Sequence, residues 1–294
     1  MPSYREDYIL SQTKKIFSEN MDDFVLERTT ELLQRNESRN PITIMRLYRN
    51  TALIHAEKGN MDALEEVISK AWKLARWAKH SQVYAIYYDL LSEYYDIMLD
   101  GAYDAETPQE KEYLQELLSA IDKALKYSKK HMTRDVEHLY AKNILAKATI
   151  LMRSGYGKSD EIRKLIGLAQ RVIEDNTLPY ADVRHQYYMV CGWYYAFICE
   201  DVEATDAVIY LAKELSLKIA TTDLDVIDKT LVPCANIYLE LQCYEKSMKL
   251  LNDGIKICLE YEALEVYNRK CKELCEYLHD VTYLLLASFS LEQN

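Results

Sequence analysis

"YRNTALIHAEKGNMDALEEVISKAW" (Tyr48–Trp72) holds two helical periods separated by a short polar turn. In the first, Ala52 has Tyr48 four residues before it and His55 three after. These three positions share one face of an α-helix, so a small residue between bulky ones marks a place where a second helix can come close. In the second, Leu64, Ile68 and Ala71 recur at i, i+4 and i+7, again on one face. The intervening turn contains Gly59 and is only a few residues long, which makes the two helices antiparallel neighbours.

The same pair of patterns recurs downstream. First helices carry Tyr88/Ser92/Tyr95, Ile144/Ala148/Leu151, Tyr188/Gly192/Tyr195 and Leu231/Ala235/Tyr238. Second helices carry Leu117/Ile121/Ala124, Ile162/Ile166/Ala169, Ala204/Val208/Leu211 and Ser247/Leu251/Gly254. One such triplet arises by chance in any amphipathic helix, but strict alternation along the chain is the signature of a helical repeat array. Periodicity predicts helices at 4–18, 22–36, 42–58, 62–79, 82–99, 108–130, 135–153, 160–174, 182–200, 203–220, 227–241, 244–260 and 263–290.

Composition agrees. The 294 residues include 7 Gly and 5 Pro, too few turn formers for a sheet protein of this length. Net charge is −11 with both signs interleaved and no basic run, which argues against nucleic acid as a direct partner. "MPSYREDYIL" is charged where a signal peptide needs an apolar core, and "YLLLASF" is too short to span a bilayer. All seven cysteines fall between Cys191 and Cys275, an odd set that suits buried free thiols in a reducing cytoplasm. A cytoplasmic location without membrane association is the expectation.

On these residues the chain resembles the tetratricopeptide repeat family. "YRNTALIHAEKGNMDALEEVISKAW" and "LVPCANIYLELQCYEKSMKLLNDGI" (231–255) keep its small residue in the first helix, the aromatic or His three later, the short turn and the second-helix triplet. Resemblance extends over about residues 42–260. The chain departs from the family in spacing, because successive small residues stand 40, 56, 44 and 43 apart instead of about 34. Longer repeats are similar to those of bacterial regulators that bind signalling peptides (the Rap phosphatase group and its relatives), or of arrays attached to large ATP-dependent activators. The resemblance implies an all-α, right-handed α-solenoid of antiparallel hairpins. Residues 1–41 would be an N-terminal capping pair, 42–260 about five repeats, and 261–294 a C-terminal capping helix. That last helix either folds back on the final repeat or makes a partner or homodimer contact.

Motifs that suggest chemistry have plainer readings. Gly157-Lys158-Ser159 lacks the first glycine of a phosphate loop, since Met152 stands there, and it follows a helical stretch instead of a strand. It is expected to be a turn, with Ser159 or Asp160 capping the next helix. Cys271, Cys275 and His279 share a helix face, but i and i+8 lie about 12 Å apart, too far for one zinc ion. The six histidines contain no H-E-x-x-H and no triad spacing. "GWYYAF" (192–197) leaves Trp193 and Phe197 unexplained by repeat packing, and "ATTDLDVIDK" (220–229) lacks calcium-loop spacing and is expected to be an inter-repeat loop. No cofactor, metal or catalytic residue is expected.

Function must then come from a surface. In tetratricopeptide arrays the concave groove is lined by first-helix residues not used for packing. Transferred to this chain, that face comprises Arg46, Arg49, Asn50 and Leu53; Asp89 and Glu93; Lys142, Leu145 and Thr149; Gln186, Met189, Trp193 and Phe197; and Lys229, Val232 and Asn236. Arg and Asn can hold an extended backbone or a carboxylate, while Met189, Trp193 and Phe197 can form an apolar pocket. The expected function is a non-catalytic scaffold or sensor for a peptide or protein. Alternatives are the helical portion of a transcriptional or signalling regulator, and a small-molecule-binding protein or enzyme.

Overall fold

The computed structural model describes residues 29–31, 40–99, 105–155, 157–174, 181–220, 222–261 and 264–292. The fold is all-α, with no strand among the described residues. The helices expected at 4–18 and 22–36 lie outside these residues, apart from a helical Thr29–Glu31. The chain divides into two compact units, with the boundary after Gly155.

The first unit contains α1 (Pro41–Glu57), α2 (Met61–Ala78), α3 (Ser81–Leu99), α4 (Pro108–Lys130) and α5 (Arg134–Arg153). Local chemistry sets their starts. Asn40 Oδ1 accepts from the Ile42 amide at 3.0 Å with Pro41 in the first turn. Thr107 and Glu110 form a reciprocal capping box, the Glu110 amide donating to Thr107 Oγ1 at 3.2 Å and the Thr107 amide to Glu110 Oε2 at 2.8 Å. Gly59, at φ +66, turns the chain between α1 and α2 in the left-handed region that glycine enters without strain. Helix α1 packs on α2 and α3, and α3 packs on α4 and α5. Ala52, Leu64, Ala71, Val83 and Leu90 make one core cluster, while Leu99, Leu114, Leu117, Ile121 and Ile150 make a second.

The second unit contains α6 (Ser159–Glu174), α7 (Ala181–Tyr194), α8 (Val202–Ile219), α9 (Asp223–Val226), α10 (Val232–Glu240), α11 (Tyr244–Glu260) and α12 (Glu265–Glu292). Two π turns interrupt this run. Tyr195–Cys199 extends α7, and Ile227–Leu231 joins α9 to α10. The second has a covalent cause in Pro233, which has no N–H and whose ring would strike the carbonyl four residues back in a regular helix. Widening the turn removes that clash. Helix α7 packs on α8 and α10, α10 on α11, and α11 on α12. Asp206 ties three helices together: Tyr238 donates to its Oδ1 at 2.7 Å and Lys246 to its Oδ2 at 2.5 Å.

All five first-helix small residues are buried: Ala52, Ser92, Ala148, Gly192 and Ala235. The second-helix triplets are buried as expected except at Ile68 of α2, which is half-buried beside the buried Val67, and in α8. There Ala204 and Val208 are only half-buried and Leu211 is exposed, whereas Thr205, Ile209 and Ala212 are buried. The stripe is displaced by one residue because "EATDAVIYLA" offers two overlapping stripes of similar size, so spacing alone could not choose the inner one. Two turn readings also change. Ser159 is the first residue of α6, and Lys158 supplies the carbonyl that accepts from the Ile162 amide at 3.1 Å, so neither Ser159 nor Asp160 is the cap. The 220–229 stretch is mostly helical, because the Thr222 hydroxyl accepts from the Asp225 amide at 3.2 Å and starts α9.

Gly192 and Gly167 provide a test of the close-approach argument. A Cβ on Gly192 would lie 3.1 Å from Ile237 Cδ1 and 3.7 Å from Val208 Cγ2, whereas one on Gly167 would meet nothing within 4 Å. Gly192→Val is expected to destabilise the protein by about 1–3 kcal/mol through overpacking. Gly167→Ala should stabilise it by about 0.5–1 kcal/mol through helix propensity. Urea unfolding midpoints of the two variants check both signs.

Candidate functional site

In the first unit, the residues expected to line an open face are largely bound to one another. Arg49 on α1 donates Nε to Asp89 Oδ2 at 2.8 Å and a terminal nitrogen to Glu93 Oε1 at 2.5 Å, both acceptors on α3. Lys142 on α5 also donates to Glu93 Oε1 and lies 3.6 Å from Asp89 Oδ1. Asn143 donates Nδ2 to Asp89 Oδ1 at 2.8 Å and to the Leu139 carbonyl at 2.9 Å. Two cations and two anions thus form a neutral cluster joining α1, α3 and α5. Asp89 is 1% exposed, so its charge survives only through this pairing.

The electrostatics follow from that geometry. Burial alone would raise the Asp89 carboxyl, but Lys142 and Arg49, with hydrogen bonds from Arg49 and Asn143, together hold it below the ordinary carboxylate value. Burial likewise works against Arg49 and Lys142, and the two carboxylates outweigh it to raise both. Glu93 Oε2 is buried and has no hydrogen-bond partner.

Other expected lining residues in this unit separate. Arg46, Asn50 and Leu53 are half-buried on α1. Leu145 is completely buried, so it belongs to the core and not to an open face. The Thr149 hydroxyl turns back onto its own helix and donates to the Leu145 carbonyl at 3.1 Å. Asn143 was missed by sequence reasoning. Its signal was the pair Lys142-Asn143 within the otherwise apolar stretch Leu139–Leu145, where a buried amide needs a partner.

In the second unit Met189, Trp193 and Val232 border one core cluster. The Cys234 thiol contacts Met189 Sδ at 3.7 Å. Trp193 stacks on Phe197, with ring centroids 5.2 Å apart and planes at 24°. The π turn from Tyr195 to Cys199 carries Phe197, which is 42% exposed. Gln186 and Asn236 are half-buried, while Lys229 is exposed and pairs with Asp225 on its own helical run at 2.6 Å. Met189, Trp193 and Phe197 therefore form a part-exposed apolar strip along α7 and its π turn.

A polar relay lies beside this strip and was also not foreseen. His185 Nε2 is 2.9 Å from Thr230 Oγ1, and Thr230 donates to Ser216 Oγ at 2.7 Å. With the Thr230 proton committed to Ser216, His185 Nε2 is the donor. Burial, and to a lesser degree Lys229, push the His185 imidazole below its ordinary value. Thr230 is fully buried within the Ile227–Leu231 π turn. No periodic pattern reports a buried pair of hydroxyls, because each is spaced like a small apolar residue.

Burial pushes the Cys191 thiol up to about 11 and the Cys234 thiol up to about 12, so both are neutral near pH 7. Among the described residues no group of three or more His, Cys, Asp or Glu side chains is disposed to hold a metal ion, and no helix is long and apolar enough to cross a membrane. Comparison with protein-family models and with curated proteins finds no match to this chain.

Two outcomes test these assignments. Arg49→Ala removes one partner of a buried carboxylate and is expected to cost about 3 kcal/mol, less than full loss because Lys142 and Asn143 remain on Asp89. Asp89→Asn in the same background should recover part of that loss, and a double-mutant cycle by urea unfolding measures it. For His185, the unfolded chain takes up a proton below the ordinary value of 6.5 while the folded chain resists it, so stability falls as pH drops below 6.5. His185→Gln keeps an N–H for Thr230 without a titrating group. It should flatten the loss between pH 7 and 5.5 in the same assay.

Proposed function

We propose that the chain is a tetratricopeptide-like right-handed α-solenoid and that its first-helix faces bind a peptide or protein segment without catalysis. The observation that carries this reading is the burial of all five recurrent small residues, Ala52, Ser92, Ala148, Gly192 and Ala235. Within the first unit α1 packs on α2 and α3, and α3 on α4 and α5; within the second, α7 packs on α8 and α10. That neighbour pattern supports a stack of hairpins, and stacked hairpins leave one helix of each pair facing a partner.

The second unit carries the more available part of that face. Its Met189–Trp193–Phe197 strip combines exposed aromatic area with half-buried Gln186 and Asn236, amides able to hold an extended backbone. In the first unit the charges are already paired, so Arg49 and Lys142 act first to position helices. A peptide or adaptor segment with an apolar anchor residue is the occupant that this chemistry favours. The reading expects a cytoplasmic protein with no direct nucleic-acid role.

The test is selection from a random peptide library on the purified chain, followed by titration of enriched peptides. Phe197→Ala with Asn236→Ala should weaken the selected peptides at least tenfold while circular dichroism and melting temperature stay unchanged. Equal binding by a folded double variant would move the site elsewhere. Failure to enrich any peptide sequence over background would defeat the peptide-binding reading itself.

A further inference from the structure

Three of the seven free thiols gather where α11 meets α12. Cys258 is buried in the last turn of α11, Cys271 is half-buried against the core of the second unit, and Cys275 is exposed one helical turn later. Cys271 and Cys275 stand four residues apart on α12, so they share one face of the helix. Lys270 pairs with Asp228 at 3.0 Å, pinning the start of α12 to the π turn.

We propose that Cys271 and Cys275 are a redox-active dithiol, converted by a peroxide-class oxidant into a disulfide within α12. Regular helix dimensions place Cα atoms at i and i+4 about 6.2 Å apart. That lies inside the range of about 4.4–6.8 Å that a disulfide spans. The Cβ atoms begin about 5–6 Å apart and must close to about 3.8 Å, so the bridge forms by tightening one turn. Leu274, 2% exposed, sits between the two cysteines and fixes that turn to the core. Oxidation therefore pulls on a packed position and is felt along the helix towards Val281, which is fully buried.

Exposure decides the order of steps. Cys275 gives its proton to solvent, its thiolate attacks one peroxide oxygen, and the O–O bond breaks; the departing hydroxide takes a proton back from solvent, leaving sulfenic acid and water. The Cys271 sulfur then attacks the sulfenic sulfur. An S–S bond forms, the S–O bond breaks, and the Cys271 proton leaves with the hydroxide as a second water. Two electrons pass from the thiols to the peroxide. Burial, and next the adjacent Cys275, hold the Cys271 thiol above its ordinary value, so the rate should rise with pH. Cys258 is shielded from the first step by burial.

Trypsin separates the two cysteines, because it cuts after Lys270 and Lys272. The purified full chain is treated with hydrogen peroxide, alkylated, digested and mapped by mass spectrometry, with amide exchange measured before and after. The expected result is a linked peptide pair joining Cys271 to Cys275, reversed by dithiothreitol, retained in Cys258→Ser and lost in Cys275→Ser. Amide exchange in the turn around Leu274 should quicken in oxidised wild type and stay unchanged in folded Cys275→Ser. Sulfinic acid at Cys275 without linkage would overturn the proposal, as would a dominant bridge from Cys271 or Cys275 to any other cysteine.

Discussion

Where α7 crosses α8 and α10, Gly192 has only hydrogen at the position other residues give to Cβ, and Ile237 and Val208 fill the space. The packing of the second unit depends on that gap, since a larger group would hold two helices apart at once. Gly254 repeats the arrangement one hairpin later, against Leu274 on α12 and against Ile227 and Leu231 of the π turn. Ala52, Ala148 and Ala235 fill equivalent places with a single methyl and are completely buried. A helix touched on two sides by its neighbours needs one such position per hairpin. The bulky residues four before and three after then close the flanks, as Leu231 and Tyr238 do around Ala235.

That constraint is why so much of the fold was legible in the sequence. Small residues between bulky ones fix helix faces, and short polar turns fix antiparallel order, so the helix boundaries from Pro41 to Glu260 fall close to those read from periodicity. The exceptions have local causes. In α8 two overlapping stripes compete, and burial of Thr205 decides for the one that spacing did not favour. At Ile227–Leu231, Pro233 widens the helix in a way that residue types suggest but a 3.6-residue period does not describe.

Within the candidate face, the charged residues of the first unit were legible as neighbours, but their mutual pairing was not. The resemblance to tetratricopeptide arrays assigned Arg49, Asp89, Glu93 and Lys142 to one face, and the structure brings all four together. Spacing could not reveal that they satisfy each other. Charge partners 40 to 49 residues apart are invisible to any local pattern. Leu145 shows the complementary failure, because the face that is outermost at one helix is covered at the next. Asn143 completes the cluster from a position that periodicity treats as interior.

The two units therefore spend their first-helix faces differently. In the first, four charges and an amide lock α1, α3 and α5 to a neutral centre, where an approaching anion or cation must break an existing pair before making its own. In the second, the corresponding residues are Met189, Trp193, Val232 and Asn236, which give apolar area and an amide without a charge to displace. The π turn at Tyr195–Cys199 sets Phe197 outside the regular ladder, and stacking on Trp193 holds its ring in place. On the proposed reading, affinity resides at Met189, Trp193 and Phe197, where the ligand has no ion pair to break, while the paired charges of the first unit hold α1, α3 and α5 together. Binding there and stability here then depend on different side chains, so the two properties can be separated by substitution.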